Sequence, residues 1–461
     1  MHGSKSAIEI LRKQLPEGVL ATDSASLQVY SYDAATAVTG MPDAVVCPTC
    51  EADVVTTLRF ADEHRIPVFP RGAATGLAAG SVPQGGIALN LATMRRIIEI
   101  DKENMMARVE PGVVNSHLQA AVAPLGLYYP PDPASLKAST LGGNVATGAG
   151  GPRCLKYGTT REYVRGIRAV LPGGRILTDG GKYLKSATGY NLSQLFVGSE
   201  GTLGVVTEIT FRLIPAPPAV GTVMAIFTSV REAATVVGAI LGSGILPSVM
   251  EFIDSLSLRC VNEAYDLNLP AGAQAMMIVE CDGNADAIRT ELEIAARLCT
   301  EGGALLVKRA TTESERAHLW QARRSISPAL SRLKPVRLGE DISLPRSELV
   351  DMLADIEEIS KKFDLMIPTF GHIGDGNLHP NILYDPKDAA EKSRVEPCAE
   401  ALIKAAVARG GTLSGEHGIG LLKRELLPAA IAPLNIELYR QIKAVFDPNG
   451  IMNPGKIFTA A

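Results

Sequence analysis

The amino-acid sequence predicts an α+β protein of at least two domains, on three observations. From Ala44 to about Pro217, short apolar strands alternate with glycine-rich loops and helices. Pro215, Pro217 and Pro218 then interrupt the chain, and three prolines in four residues continue neither a helix nor a central strand. From Val220 onward the hydrophobic periodicity alternates between strand and helix in the order of a β-α-β-β-α-β sandwich with one small extra helix. At 461 residues the chain also exceeds what one core usually supports.

The first residues read as a charged amphipathic stretch with Arg12 and Lys13, without the apolar core of a signal peptide. Val45-Val46 reads as a strand. Cys47-Pro48-Thr49-Cys50 then either forms a redox pair or ends that strand and starts a helix over 53–64, with Thr49 as N-cap and Glu51 and Asp53 in the first turn. Strands follow at Val68-Phe69, Ile87-Ala88-Leu89 and Ala107-Arg108-Val109. Beyond the prolines the spacing predicts strands at 221–228, 248–253, 274–281 and 304–309, with helices over 230–242, 254–264 and 284–300. Helices over 312–331, 346–362 and 388–408 come next, and the tail from Phe446 to Lys456 holds too many turn residues to be one.

Composition excludes several functions. With 45 basic and 49 acidic side chains the net charge is −4, and no basic run tracks a phosphate backbone, so nucleic acid is not an expected partner. No apolar run reaches membrane-spanning length. The expected location is the cytoplasm, with peripheral attachment at the inner membrane as the other option. The seven cysteines show no zinc or iron-sulfur spacing. Forty-four glycines against ten phenylalanines and one tryptophan suggest a backbone that approaches a large ligand closely.

Two segments concentrate reactive side chains: Gly371-His372-Ile373-Gly374-Asp375-Gly376-Asn377-Leu378-His379-Pro380-Asn381 and Ser414-Gly415-Glu416-His417-Gly418. On a helix His372 and His379 would sit about 10 Å apart along the axis, and Gly374, Gly376 and Pro380 disfavour helix in any case. In one unbroken strand they would point to opposite faces roughly 23 Å apart. Strand, turn and returning strand remain, and would set His379 beside His372. Two imidazoles so placed could meet one cation, with Glu416 as third ligand and open positions left for a substrate oxygen. Zinc, manganese and ferrous iron all suit that donor set. His417 would then be available as a base. Taken singly, each segment could equally be a glycine-rich turn with satisfied polar groups.

Three loops of small residues lie in the first half. Pro70-Arg71-Gly72-Ala73-Ala74-Thr75-Gly76 follows a strand and can form an anion-binding nest. It matches neither the Walker A pattern nor the Rossmann turn. Pro131-Asp132-Pro133-Ala134-Ser135 leads to Ser139-Thr140-Leu141-Gly142-Gly143-Asn144, and Gly198-Ser199-Glu200-Gly201-Thr202-Leu203-Gly204-Val205 comes later. Together they could wrap a dinucleotide.

With Pro-Arg-Gly-x-x-Thr-Gly, Gly-Ser-Glu-Gly-Thr-Leu-Gly, the two histidine motifs and Asn-Pro-Gly-Lys in one chain, the sequence resembles flavin-dependent oxidoreductases of the vanillyl-alcohol oxidase type. The branch is that of D-lactate dehydrogenase, the large glycolate oxidase subunit and D-2-hydroxyglutarate dehydrogenase, and the likeness covers about 40–458. It implies a two-subdomain FAD-binding domain over 1–218, a ferredoxin-like α+β cap carrying the metal site over 219–425, and a segment over 426–461 returning to the FAD domain. The pyrophosphate is expected on Arg71, Gly72, Ala73, Ala74, Thr75 and Gly76 behind Pro70. Further contacts are expected from Pro131, Asp132, Thr140, Gly143, Asn144, Glu200, Gly201, Val205 and Asn453. Some relatives bind flavin through a histidine in the first loop; Ala73-Ala74 stand there, so binding is expected to be non-covalent.

The implied reaction is oxidation of a D-2-hydroxy acid by hydride transfer from Cα to flavin N5. His417 is the expected base. Trp320, Arg323 and Ser327 fall on one predicted helix face, where Arg323 would fork onto the substrate carboxylate, although a solvated surface is the plain alternative. Asn381 would contact substrate. The stretch from Lys334 to Asp341 aligns poorly with the extra basic group of hydroxyglutarate relatives, which favours D-lactate or glycolate over that diacid. Electrons would pass to an electron-transferring flavoprotein or iron-sulfur partner subunit, and a homodimer is compatible. An oxygen-using flavin oxidase and a non-catalytic FAD-binding subunit are the rival readings.

Overall fold

The computed structural model describes residues 2–35, 38–265, 269–310 and 312–459. The chain divides into two compact units, one of Met1–Gly150, Thr159–Ala216 and Glu416–Ala461, the other of Gly151–Gly158 and Pro217–Gly415. The sequence sets the boundaries after 218 and 425; the chain changes unit after Ala216 and after Gly415. No described helix is long and apolar enough to cross a membrane.

In the first unit, strands β1 (Leu20–Ala21), β2 (Ala44–Val46), β3 (Val68–Arg71) and β4 (Ile87–Asn90) form a sheet in the order β1-β2-β4-β3. Its β2, β4 and β3 run parallel. The helix Glu51–His64 makes the crossover and buries Val54, Leu58 and Ala61 in one cluster with Val46, Val68 and Leu89. Its start corrects the expected cap: Cys50 is the N-cap and makes no side-chain cap bond. Thr49 instead donates from its amide and hydroxyl to Asp53 at 2.8 and 2.9 Å, so the carboxylate inside the first turn does the capping.

The other large sheet of this unit is antiparallel, with β5 (Ile97–Asp101), β6 (Met106–Val109), β8 (Val164–Val170), β9 (Ile176–Gly180) and β10 (Val205–Arg212) in the order β5-β6-β10-β8-β9. A short ribbon pairs β7 (Leu127–Tyr128) with β11 (Ile214–Pro215).

The second unit begins with β12 (Ala219–Phe227), β13 (Val249–Asp254), β14 (Ala275–Gly283) and β15 (Leu306–Ala310). Their order, β15-β12-β14-β13, is the ferredoxin-like arrangement, with Ser255–Tyr265 as the extra helix. Strands β18 (Thr369–His372), β19 (Asn377–Tyr384) and β16 (Val336–Gly339) extend it past β13, and β17 (Ile342–Ser343) also pairs with β19. Alternation along the strands divides the apolar side chains between two cores. Val223, Ala225, Phe252 and Val279 join the cluster that includes Val237 and Leu292 of the helices Val230–Gly242 and Ala285–Glu301. Met224, Ile226, Ile253 and Phe370 join the one that includes Ala322 and Ile326 of Glu313–Leu330.

Candidate active site

The three small-residue loops of the first unit converge on a cavity of about 230 Å³. Pro70, Arg71, Gly72, Ala73, Ala74, Thr75 and Gly76 line it, as do Thr140, Gly143, Asn144, Glu200, Gly201 and Val205. Close packing explains part of the glycine usage. A Cβ on Gly72 would lie 2.0 Å from Thr140 Oγ1, and Thr140 caps the helix Leu141–Thr147 by accepting from the Gly143 amide at 3.3 Å. A Cβ on Gly76 would meet nothing within 4 Å. Small side chains and available backbone fit a pyrophosphate that must approach closely.

Several of the expected flavin contacts also make bonds within the protein. Arg71 turns its guanidinium onto the carbonyls of Tyr30 and Tyr32 at 2.9 and 3.2 Å and lies 5.0 Å from the Tyr30 ring centroid. Burial lowers its pKa, and Asp33 opposes that shift. The Pro131 carbonyl accepts from Asn115 and Gln119; Pro133, Ala134 and Ser135, rather than Pro131 or Asp132, line the cavity. Asn453 is also outside the lining, and its amide donates to the carbonyls of Gly80 and Glu200 at 3.0 and 2.6 Å, which ties the tail to two of the loops.

Glu416 and His417 line this same cavity, with Glu416 Oε1 4.0 Å from His417 Nε2. Glu200 holds the backbone just beyond them, accepting from the amides of Ile419 and Gly420 at 2.7 and 2.8 Å. Burial raises the Glu200 pKa, and those two amides pull the other way.

In the second unit, β18 and β19 form the expected hairpin. Phe370 pairs with His379 and His372 with Asn377, so the two histidines are diagonal neighbours on one face. Their ring centroids lie 5.1 Å apart at 83°, and each offers a ring nitrogen within 4.8 Å of the other. Both are backed by fully buried carboxylates. Glu251 accepts from His372 Nδ1, and Asp341 Oδ1 stands 3.6 Å from His379 Nδ1. Asn377 and Ser414 donate to Asp341 at 2.7 and 2.6 Å. Asn381 donates from its amide to the His379 carbonyl at 2.7 Å.

Arg323 lies on the same face, paired through Nε with Glu251 and 4.6 Å over the Phe370 ring. It is not a solvated surface arginine. Although burial alone would raise the Glu251 pKa, His372 and Arg323 hold it below the ordinary range. Trp320 donates to Glu280 at 3.1 Å.

Glu251, Asp341 and Arg337 are the residues that sequence reasoning missed. A lone acid inside Val249-Met250-Glu251-Phe252-Ile253 is a readable signal, because a charge in a buried strand must find a partner. Arg337 pairs with Leu383 in β16 and so shares the face of Asn381 and His379.

Residues 216–457 match the family described as FAD linked oxidases, C-terminal domain, and residues 42–180 match an FAD binding domain. The chain is 43% identical over 431 residues to the glycolate oxidase subunit GlcD of Bacillus subtilis, spanning 93% of this chain and 92% of that protein. It is 33% identical to a D-lactate dehydrogenase of Anaerostipes hadrus, spanning 98% and 96%. In fold it is similar to 4-ethylphenol oxidase from Gulosibacter chungangensis, with a TM-score of 0.81 and 21% identity across 99% of this chain and 98% of that one. The chain therefore belongs to the FAD-linked oxidase family and is a flavin-dependent oxidoreductase with the vanillyl-alcohol oxidase fold.

Proposed function

We propose that this protein oxidises a D-2-hydroxy acid, D-lactate or glycolate, to the 2-oxo acid, and then passes electrons to an acceptor other than a nicotinamide. The observation that carries this reading is His417 on the wall of the cavity made by the small-residue loops. FAD, when bound there, supplies the hydride acceptor. His417 takes the hydroxyl proton, a task for which imidazole is suited near neutral pH. Arg323 anchors the substrate carboxylate through its Nη fork, and Asn381 contacts the substrate beside it.

His372, His379 and Glu416 are the residues that would hold a divalent ion, which when bound supplies a Lewis acid that makes the hydroxyl more acidic. Two features support that assignment. Each histidine has a buried carboxylate at Nδ1, the arrangement that orients metal-ligating imidazoles. Ser414, two residues before Glu416, is held by Asp341, the carboxylate that backs His379. The relative named as an oxidase subunit supports an electron-accepting partner.

Arg337 favours a second substrate. A cation on the histidine face would suit the distal carboxylate of D-2-hydroxyglutarate. Anaerobic mixing of the FAD-loaded protein with D- and L-lactate, glycolate and D-2-hydroxyglutarate, followed by flavin absorbance, tests both readings. Bleaching by D-lactate or glycolate is expected, with a reduction rate about 10²- to 10⁴-fold lower in His417→Ala. If D-2-hydroxyglutarate bleaches fastest and Arg337→Met abolishes that preference, the diacid replaces the monoacids. No bleaching by any of the acids sinks the dehydrogenase reading.

A further inference from the structure

We propose that Glu251 is a positioning residue that couples the metal-binding histidine to the arginine that anchors the substrate. This rests on the reading of His372 as a ligand and Arg323 as the anchor. Glu251 is fully buried and divides its two oxygens: Oε1 accepts from His372 Nδ1 and Oε2 from Arg323 Nε.

The strand register produces this bridge. Phe252 pairs with Gly371 and Ile253 with Phe370, so the next antiparallel step sets Glu251 against His372. Arg323 descends from the helix Glu313–Leu330, which Glu280 grips by accepting from Arg316 at 3.0 Å and Trp320 at 3.1 Å. Phe370, under the guanidinium, fixes its plane. Use of Nε is the informative detail. It orients Arg323 while the two Nη groups keep the fork geometry that matches a carboxylate.

A carboxylate on the far nitrogen of a ligand imidazole sets its tautomer and raises its basicity. Because the same carboxylate also orients Arg323, a change in charge or position at either partner is transmitted to the other. Linkage then requires the effect to be reciprocal: the factor by which carboxylate on Arg323 changes the affinity of His372 for metal is the factor by which metal changes the affinity of Arg323 for carboxylate.

The test uses full-length protein loaded with FAD and zinc, as wild type, Glu251→Gln, Arg323→Met and the double variant. Flavin content and melting temperature establish that each folds. Zinc release into a chromogenic chelator is then timed. Glu251→Gln should release zinc about 10- to 100-fold faster. Arg323→Met should change the release rate in the wild-type background and leave it unchanged in the Glu251→Gln background. With D-lactate, Glu251→Gln should raise KM as well as lower kcat, and Glu251→Asp, which keeps the charge, should recover part of the zinc retention. Release from Glu251→Gln at the wild-type rate, or equal shifts from Arg323→Met in both backgrounds, overturns the coupling. Wild-type protein that binds no stoichiometric zinc sinks the metal reading itself. Should Glu251→Gln not fold, Glu251→Asp replaces it in the cycle with the same expected pattern at smaller amplitude.

Discussion

Glu200 shows how much a single side chain can carry. Its backbone takes the left-handed value φ 50°, uncommon for a residue with a side chain, and its carboxylate closes onto the amides of Ile419 and Gly420, just past His417. Glu200→Gln can accept only one of those two hydrogen bonds, and its amide group meets the other N–H donor to donor. The expected cost is about 1–3 kcal/mol of stability for the group left unsatisfied, with FAD still bound and flavin reduction by D-lactate slowed. Urea unfolding and stopped-flow absorbance read the two effects, and an unchanged reduction rate would remove Glu200 from the support of His417. From sequence Glu200 reads only as a flavin contact; its hold on the backbone at Ile419 and Gly420 is illegible because those partners lie 219 and 220 positions along the chain. The bonds of Arg71 to the carbonyls of Tyr30 and Tyr32 are illegible for the same reason, since those partners lie about forty positions away. The histidines are legible because the two glycines between them and the proline just after His379 leave only one geometry.

At the scale of the element, the β18–β19 hairpin is the feature that local chemistry specifies most completely. Gly376 takes φ +89°, and a Cβ there would stand 2.2 Å from the Leu344 carbonyl oxygen, so both backbone and space demand glycine. Gly376→Ala should cost roughly 1–2 kcal/mol for the left-handed backbone alone, plus the displacement of Leu344. Because the turn sets His379 beside His372, the variant should lose the zinc proposed for that pair while keeping FAD, since the match to an FAD binding domain and the small-residue loops belong to the other unit. Metal analysis after dialysis, beside flavin content, distinguishes that outcome from general unfolding; retained zinc would mean that the hairpin tolerates the shift. The strands and helices from 221 to 309 are legible to within two or three residues because their apolar periodicity is strong. The start of the helix Glu51–His64 is not, since Thr49 and Asp53 are both good caps and the sequence cannot say which side chain turns toward the other.

At the scale of the molecule, the last residues complete the first unit. Asn453 ties the Gly80 and Glu200 loops, and Lys456, 1% exposed, donates to the Val82 carbonyl at 2.7 Å above the Phe69 ring. That the tail returns to the small-residue loops is legible only through the resemblance carried by Asn-Pro-Gly-Lys. That it returns with a buried ammonium is not, because nothing local distinguishes Lys456 from a surface lysine. Burial pushes its pKa down to about 8, against the opposing pull of Asp33 and Glu200. In the unfolded chain a lysine titrates near 10.4. Between about pH 8 and 10.4, therefore, the unfolded state holds a proton that the folded state has released, and this residue's contribution makes stability rise with pH. Below pH 8 both states are protonated and the contribution is constant. Lys456→Met removes the titration, so the stability of the wild type relative to the variant should climb by on the order of 2–3 kcal/mol from pH 7.5 to 10.5. Urea unfolding of the two proteins across that range measures the difference directly, and parallel curves would show that the ammonium reaches water after all.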